Sequence, residues 1–323
     1  MADQFNSIAN QPGVATELVQ AAYDLVVGEQ LRALPTARNF VSYRPQRPAM
    51  NGSSITLEKV NWFTDAQVNA AATPLAEELD VESIKMPKPD PITITPNEYG
   101  MASVTTIKLA NRAFTPVDPI KAQLVTDHMW RVIDKLVQDK MVTGTNVLTY
   151  QGDVPANAAT YEGTVTNAFG LTAKAIRSGV TRLRAANVPT YEGGFYAMLT
   201  NPKAVHNLRE ETGSGSWRVP NEYGTDQSRI WAGELGEFEG VRFVQNNLTR
   251  TTATGASGAT VYQNYLMGAQ ALAEHVVREP GVVVGPETDR LRRFHTLGWY
   301  GDLGFALYRN EALIRILTGS TVS

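Results

Sequence analysis

The chain has 323 residues, 43% apolar and 19% charged, with a formal net charge of −3 and no cysteine. This excludes an intrinsically disordered chain, a disulfide framework, a thiolate metal site and a cysteine nucleophile. It also argues against a dedicated nucleic-acid binder, whose affinity needs a clear basic excess to neutralise phosphates.

Length alone suggests about two domains. The stretch Met1–Asn10 is polar and lacks the apolar core of a signal peptide. No apolar run approaches the roughly 20 residues of a membrane span, so no membrane partner is expected. The reading is a chain made and kept in cytoplasm, with its N-terminus uncleaved.

In chain order, Thr16–Leu34 carries Leu18, Ala21, Ala22, Leu25 and Val26 at helical spacing. Arg38–Met50, with Arg38, Arg44, Arg47, Pro45 and Pro48, reads as extended and solvated. An N-terminal helix with a linker and an arm laid over a neighbouring subunit both fit.

Ser54–Trp62 alternates, with the strand formers Ile55, Leu57, Val60 and Trp62. A polar, alanine-rich stretch follows from Thr64 to Pro74, then the acids Glu77, Glu78, Asp80 and Glu82. Returning strands are expected at Val81–Met86 and Ile92–Thr95, and a further strand at Met101–Leu109. Pro87, Pro89, Pro91 and Pro96 keep these strands out of a sheet interior, because each removes a ladder donor. The pattern predicts a projecting β-hairpin. A lone hairpin is marginal in water, so it needs a surface to lie on, for which a neighbouring subunit is a natural candidate.

Residues 118–143 predict the longest helix. Asp118 caps it, Pro119 opens it, and Gly144 stops it. Ile120, Leu124, Met129, Val132, Ile133, Leu136 and Val137 form the expected apolar stripe.

The stretch 165–290 reads as mixed α/β. It predicts a helix from a Thr172 cap to Ala186, a strand at Phe195–Leu199 and a helix from Asn201–Pro202. A loop is expected at Gly213–Gly224, a short helix at Ile230–Leu235 and a strand at Val241–Val244. A loop over Thr251–Gly258, a strand at Val261–Met267 and a short helix at Ala269–Glu274 follow. Finally, Gly304–Tyr308 and Ala312–Leu317 read as an antiparallel pair.

No phosphate-cradling glycine loop, dinucleotide fingerprint or nucleophile elbow occurs. Gly213–Ser214–Gly215–Ser216 only resembles an elbow. His128, His206, His275 and His295 show no metal-ligand spacing. The acidic cluster lacks the spaced oxygen ligands and glycine of a calcium loop. A solvated turn and an ionic contact to a neighbour remain open for it. Arg290, Arg292 and Arg293 are its candidate basic partners, and could equally face packaged DNA or water. The candidate interface residues are thus Glu77, Glu78, Asp80, Glu82, Arg290, Arg292 and Arg293; no catalytic, cofactor or metal residue is assigned.

The segment order resembles the major capsid proteins of tailed phages with the Hong Kong 97-like fold. Local phrases carry the likeness: Asn97–Glu98–Tyr99–Gly100 before the strand leading to the long helix, Gly194–Pro202 at a strand-to-helix step, and Gly236–Val244. Tyr265–Gly268, and Gly298–Asp302 onward to Ile314, complete it.

The resemblance implies an α+β fold with an N-terminal arm (1–50), an extended hairpin loop (51–92) and a peripheral domain (93–164) with a spine helix at 118–143. An axial domain (165–290) and return strands of the peripheral domain (291–323) complete it. It implies a structural, non-enzymatic subunit without cofactors, self-assembling as hexamers and pentamers into an icosahedral shell around phage DNA. The shell would be assembled in host cytoplasm and end in the virion. Implied partners are a separate scaffolding protein, a portal, a decoration protein and non-specific contact with packaged DNA. An encapsulin-type cellular compartment shares the fold, and an unrecognised α/β enzyme is the remaining alternative.

Overall fold

A computed structural model describes residues 36–42, 44, 54–60, 62–72, 74, 80, 83–112, 117–211, 237–285, 291 and 293–322. The expected Thr16–Leu34 helix, the Gly213–Gly224 loop and the Ile230–Leu235 helix lie outside these residues.

The hairpin begins with β1 (Ile55–Lys59) and returns as β2 (Asp90–Ile94), antiparallel, with Ile55 opposite Ile94 and Lys59 opposite Asp90. Between them lies α1 (Asp65–Ala71), which buries none of its residues. Ser83–Met86 is not a strand; those residues are extended without a ladder partner. β3 (Asn97–Thr106) follows directly. The expected strand through Leu109 stops at Thr106 because the Thr106 hydroxyl accepts the Leu109 N–H at 3.2 Å, a helix cap that starts α2 (Ile107–Arg112).

The long helix, α3 (Val117–Met141), has 25 residues and is about 37 Å long. Its buried line is Val125, Met129, Ile133, Val137 and Met141, one residue in four. The expected stripe is therefore rotated: Leu124 is exposed, because the helix packs through the Val125 line onto β11, β10 and β3.

β4 (Val147–Leu148) and α4 (Ala158–Glu162) lead to α5 (Ala173–Ala185), where Thr172 Oγ1 accepts from Ala175 N at 3.3 Å. β5 (Tyr196–Thr200) is buried at every position, as a central strand covered on both faces must be. Asn201 then caps α6 (Pro202–Glu210) by accepting from Lys203 N at 3.0 Å. The remaining strands are β6 (Glu237–Phe238), β7 (Val241–Gln245), β8 (Thr251–Thr252), β9 (Val261–Met267), β10 (Leu272–Val284), β11 (Phe294–Leu307) and β12 (Leu313–Thr318).

Two sheets interleave along this chain. A three-stranded antiparallel sheet has the order β10-β11-β3, and a seven-stranded mixed sheet runs β4-β12-β9-β5-β7-β6 with β8 beside β9. The short helix expected at Ala269–Glu274 is instead a turn at Ala269–Gln270, with Gln270 at φ 63°, feeding β10. Ladder pairing to β11, with Leu272 opposite Leu307, outweighs the helical propensity of this alanine-rich stretch. The antiparallel pair expected around Arg309–Glu311 does not form either. A 3-10 turn at Asn310–Ala312 hands the chain to the other sheet, where Leu313 pairs opposite Met267. One apolar core joins α3, α5, α6 and both sheets.

Candidate assembly surface

The hairpin is anchored only at its base. Ile55, Leu57 and Ile94 pack with Ala273 into a small apolar cluster. Lys59 Nζ reaches Glu311 Oε2 at 3.1 Å. At Gly304 of β11, an added Cβ would lie 2.8 Å from Thr95 O and 3.0 Å from Ile94 Cγ2, so a bare glycine lets β2 cross β11 closely.

Beyond the base the hairpin carries large apolar side chains with no core to enter. Trp62 is 92% exposed, Met86 81% and Val60 72%; Phe63, Val68 and Ile84 are exposed beside them. The segment is nevertheless locally ordered: Gln67 Oε1 accepts the Thr64 N–H at 3.0 Å, and Gln67 Nε2 donates to Lys85 O at 3.4 Å. Apolar surface gathered on a projecting element marks an interaction site rather than a scatter of tolerated residues.

The sequence-based interface residues fall at separate places. Asp80 is exposed in the hairpin; Glu77, Glu78 and Glu82 lie outside the described residues. Arg293 is exposed beside the start of β11, with its guanidinium 5.6 Å from the Phe294 ring; Arg290 and Arg292 lie outside the described residues. What the sequence reading missed is the basic company Arg293 keeps. Lys108 and Arg112 of α2 line the same cavity, of about 510 Å³, with Ile107 and Phe294. Their four-residue spacing was the available signal, hidden by reading the stretch as strand.

The segment before the hairpin is held by two buried carboxylates. Asp134 on α3 accepts from Ala37 N at 2.7 Å and Gln138 Nε2 at 2.7 Å, with Asn246 Nδ2 at 3.4 Å. Burial pushes its carboxyl above the ordinary carboxylate value, and these donors pull the other way. Glu274 on β10 takes Arg38 Nε at 2.7 Å and Arg44 Nε at 3.0 Å, while Arg38 Nη2 reaches Glu279 at 2.8 Å. This ties Arg38 and Arg44 to the three-stranded sheet.

The largest groove, about 1140 Å³, lies between α3 and residues 247–252. Its charged groups neutralise one another: Asp139 pairs with Arg250 and, at 3.0 Å, with Lys135, and Asp127 lies 4.0 Å from Arg131. Among the described residues, no three His, Asp or Glu side chains gather as a metal site. His128 Nδ1 accepts the Trp299 indole N–H at 3.0 Å, and His206 lies 3.6 Å from Glu210. No described helix is long and apolar enough to cross a membrane.

No family model and no curated protein matches the sequence. Solved structures do match. The chain from the Cyanophage Pam1 capsid asymmetric unit aligns over 100% of both chains at 14% identity, TM-score 0.69. The capsid of Ralstonia phage GP4 aligns over 93% of this chain and 95% of that one at 14% identity, TM-score 0.66. A structure of Mycobacterium phage Che8 aligns over 92% and 96% at 16% identity, TM-score 0.65. At such identities the likeness establishes the fold: an α+β phage-capsid fold along nearly the whole chain.

Proposed function

We propose that this chain is the major capsid protein of a tailed phage, the subunit that self-assembles into the icosahedral shell around the genome. The observation that carries the reading is the hairpin: in a capsid-type fold, it projects Trp62, Phe63, Met86 and Val60 into solvent. Burying that face against another copy removes apolar area from water, at roughly 25 cal/mol per Å². A shell subunit must hold several neighbours, which favours long projections over a single deep site. In that role its partners are further copies arranged as hexamers and pentamers. A scaffolding protein, a portal, a decoration protein and packaged DNA are the other partners of such a subunit. The role is structural and requires no catalytic set.

Expression of the full chain with its scaffolding partner, followed by electron microscopy, is the direct test. Closed shells or capsomers are expected. A protein that stays monomeric under all assembly conditions sinks the reading.

A further inference from the structure

We infer that the corner between α2 and the start of β11 is a socket for carboxylates, and that the acidic run around Asp80 of a second copy of this chain fills it. The inference rests on the shell-subunit reading and specifies how one copy grips the next.

The socket is basic by construction. Lys108 and Arg112 lie one helical turn apart on α2, so their side chains share a face, and Arg293 joins them from the adjoining chain. The Ile107 N–H donates to Arg293 O at 2.9 Å, which fixes the two pieces against each other. Ile107 and Phe294 supply an apolar floor that lowers the local dielectric and strengthens whatever charge pairing forms there. Among the described residues lining the cavity there is no carboxylate. Gathered cations with no lining anion attract one from outside.

The chain itself carries the complement. Glu77, Glu78, Asp80 and Glu82 place four acids within six residues, and Asp80 is exposed. The topology keeps this run away from its own socket. From Ser83 through β2, Thr95, Pro96 and β3 to Thr106 no turn or bend interrupts the chain. Those residues make an extended run on the order of 70 Å long. The acids precede one end of it and the socket opens at the other. One copy cannot bring them together; two copies placed head to tail can. Such a contact is heterologous, and repeating it either closes a ring or runs on as an open chain, which is the geometry a capsomer needs.

The experiment uses the full chain and compares four proteins for particle yield by sedimentation and electron microscopy. They are wild type, K108E/R112E, E77K/E78K/D80K/E82K, and the two sets combined. Lys108 and Arg112 are exposed, so their reversal should leave the unassembled chain folded, checked by circular dichroism. The inference expects particles from wild type, loss of particles with either reversal, and recovery in the combined variant, where the swapped charges again match head to tail. K108Q/R112Q, which adds no repulsion, should assemble with weakened salt dependence. Normal assembly of either reversed variant, or failure of the combined variant to recover, overturns the inference. So does a K108E/R112E shell that forms normally but retains less DNA, since the socket would then serve phosphate. Absence of particles from wild type would bring down the shell-subunit reading first and the socket with it.

Discussion

Lys59 and Glu311 meet across 252 residues of sequence: the Lys59 ammonium lies 3.1 Å from Glu311 Oε2 and fastens the hairpin base to the turn between β11 and β12. The pair sits beside the small cluster of Ile55, Leu57 and Ile94, so it sets where the hairpin leaves the body.

That pair gives the hairpin a pH dependence of definite sign. Burial raises the Glu311 carboxyl, but its own backbone N–H, Lys59 and Arg309 lower it further, leaving it below its ordinary value of 4.5. A depressed acid contributes stability above its unfolded value and loses it as pH falls through the folded one. Amide exchange in Ile55–Lys59 should therefore accelerate below about pH 4.5. Glu311→Gln should accelerate it at neutral pH and flatten that acid response. The effect is small, because Glu311 is half exposed and solvent screens the pair. An unchanged acid profile in the variant would refute the assignment.

Asp134 should behave in the opposite sense. Its carboxyl is raised by burial, so the folded state binds the proton more tightly than the unfolded chain. Its ionisation erodes stability as pH rises from the unfolded value of about 3.8 through the folded one. Asp134→Asn should remove that slope in thermal unfolding. Asp134→Ala should cost about 2–3 kcal/mol, because Ala37 N and Gln138 Nε2 lose their buried acceptor.

Trp62 separates assembly from folding. Being 92% exposed, it supports little of the single chain, so Trp62→Ser should change unfolding free energy by less than about 0.5 kcal/mol. The same substitution should reduce shell yield. A marked drop in the melting temperature of the unassembled chain would place Trp62 in the fold instead.

Gly179 tests how closely α5 packs on the large sheet. An added Cβ would lie 2.5 Å from Leu266 Cδ2 on β9. Gly179→Ala should destabilise by about 1–2 kcal/mol, overpacking outweighing the roughly 1 kcal/mol gain in helix propensity. Gly179→Ala with Leu266→Ala should recover part of any loss that comes from this clash. Denaturant titration reads both.

Much of the fold was legible as local pattern. The strands Val241–Val244 and Val261–Met267, the Thr172 and Asn201 caps, and the existence of the long helix each depend on residues within a few positions. The failures have one kind of cause. Ala269–Glu274 resembles a helix locally but is claimed by a ladder to β11, and Ala312–Leu317 pairs with β9 rather than with its sequence neighbour. Leu124 satisfied the helical stripe, yet the face that packs runs through Val125 and Met129.

For the interface, the sequence by itself determined the ingredients: an acidic run, basic residues near 290, an apolar alternating hairpin, and no cysteine chemistry. Their distribution was decided by tertiary structure alone. Whether an apolar residue is core or exposed depends on what packs over it, and Trp62 and Leu57 look alike in sequence. Lys108 and Arg112 became companions of Arg293 only because β3 and β11 pair along their whole length, bringing residues nearly 200 positions apart to one corner. Side-chain chemistry is written residue by residue, but convergence is a property of long-range strand pairing, and local pattern carries no record of it.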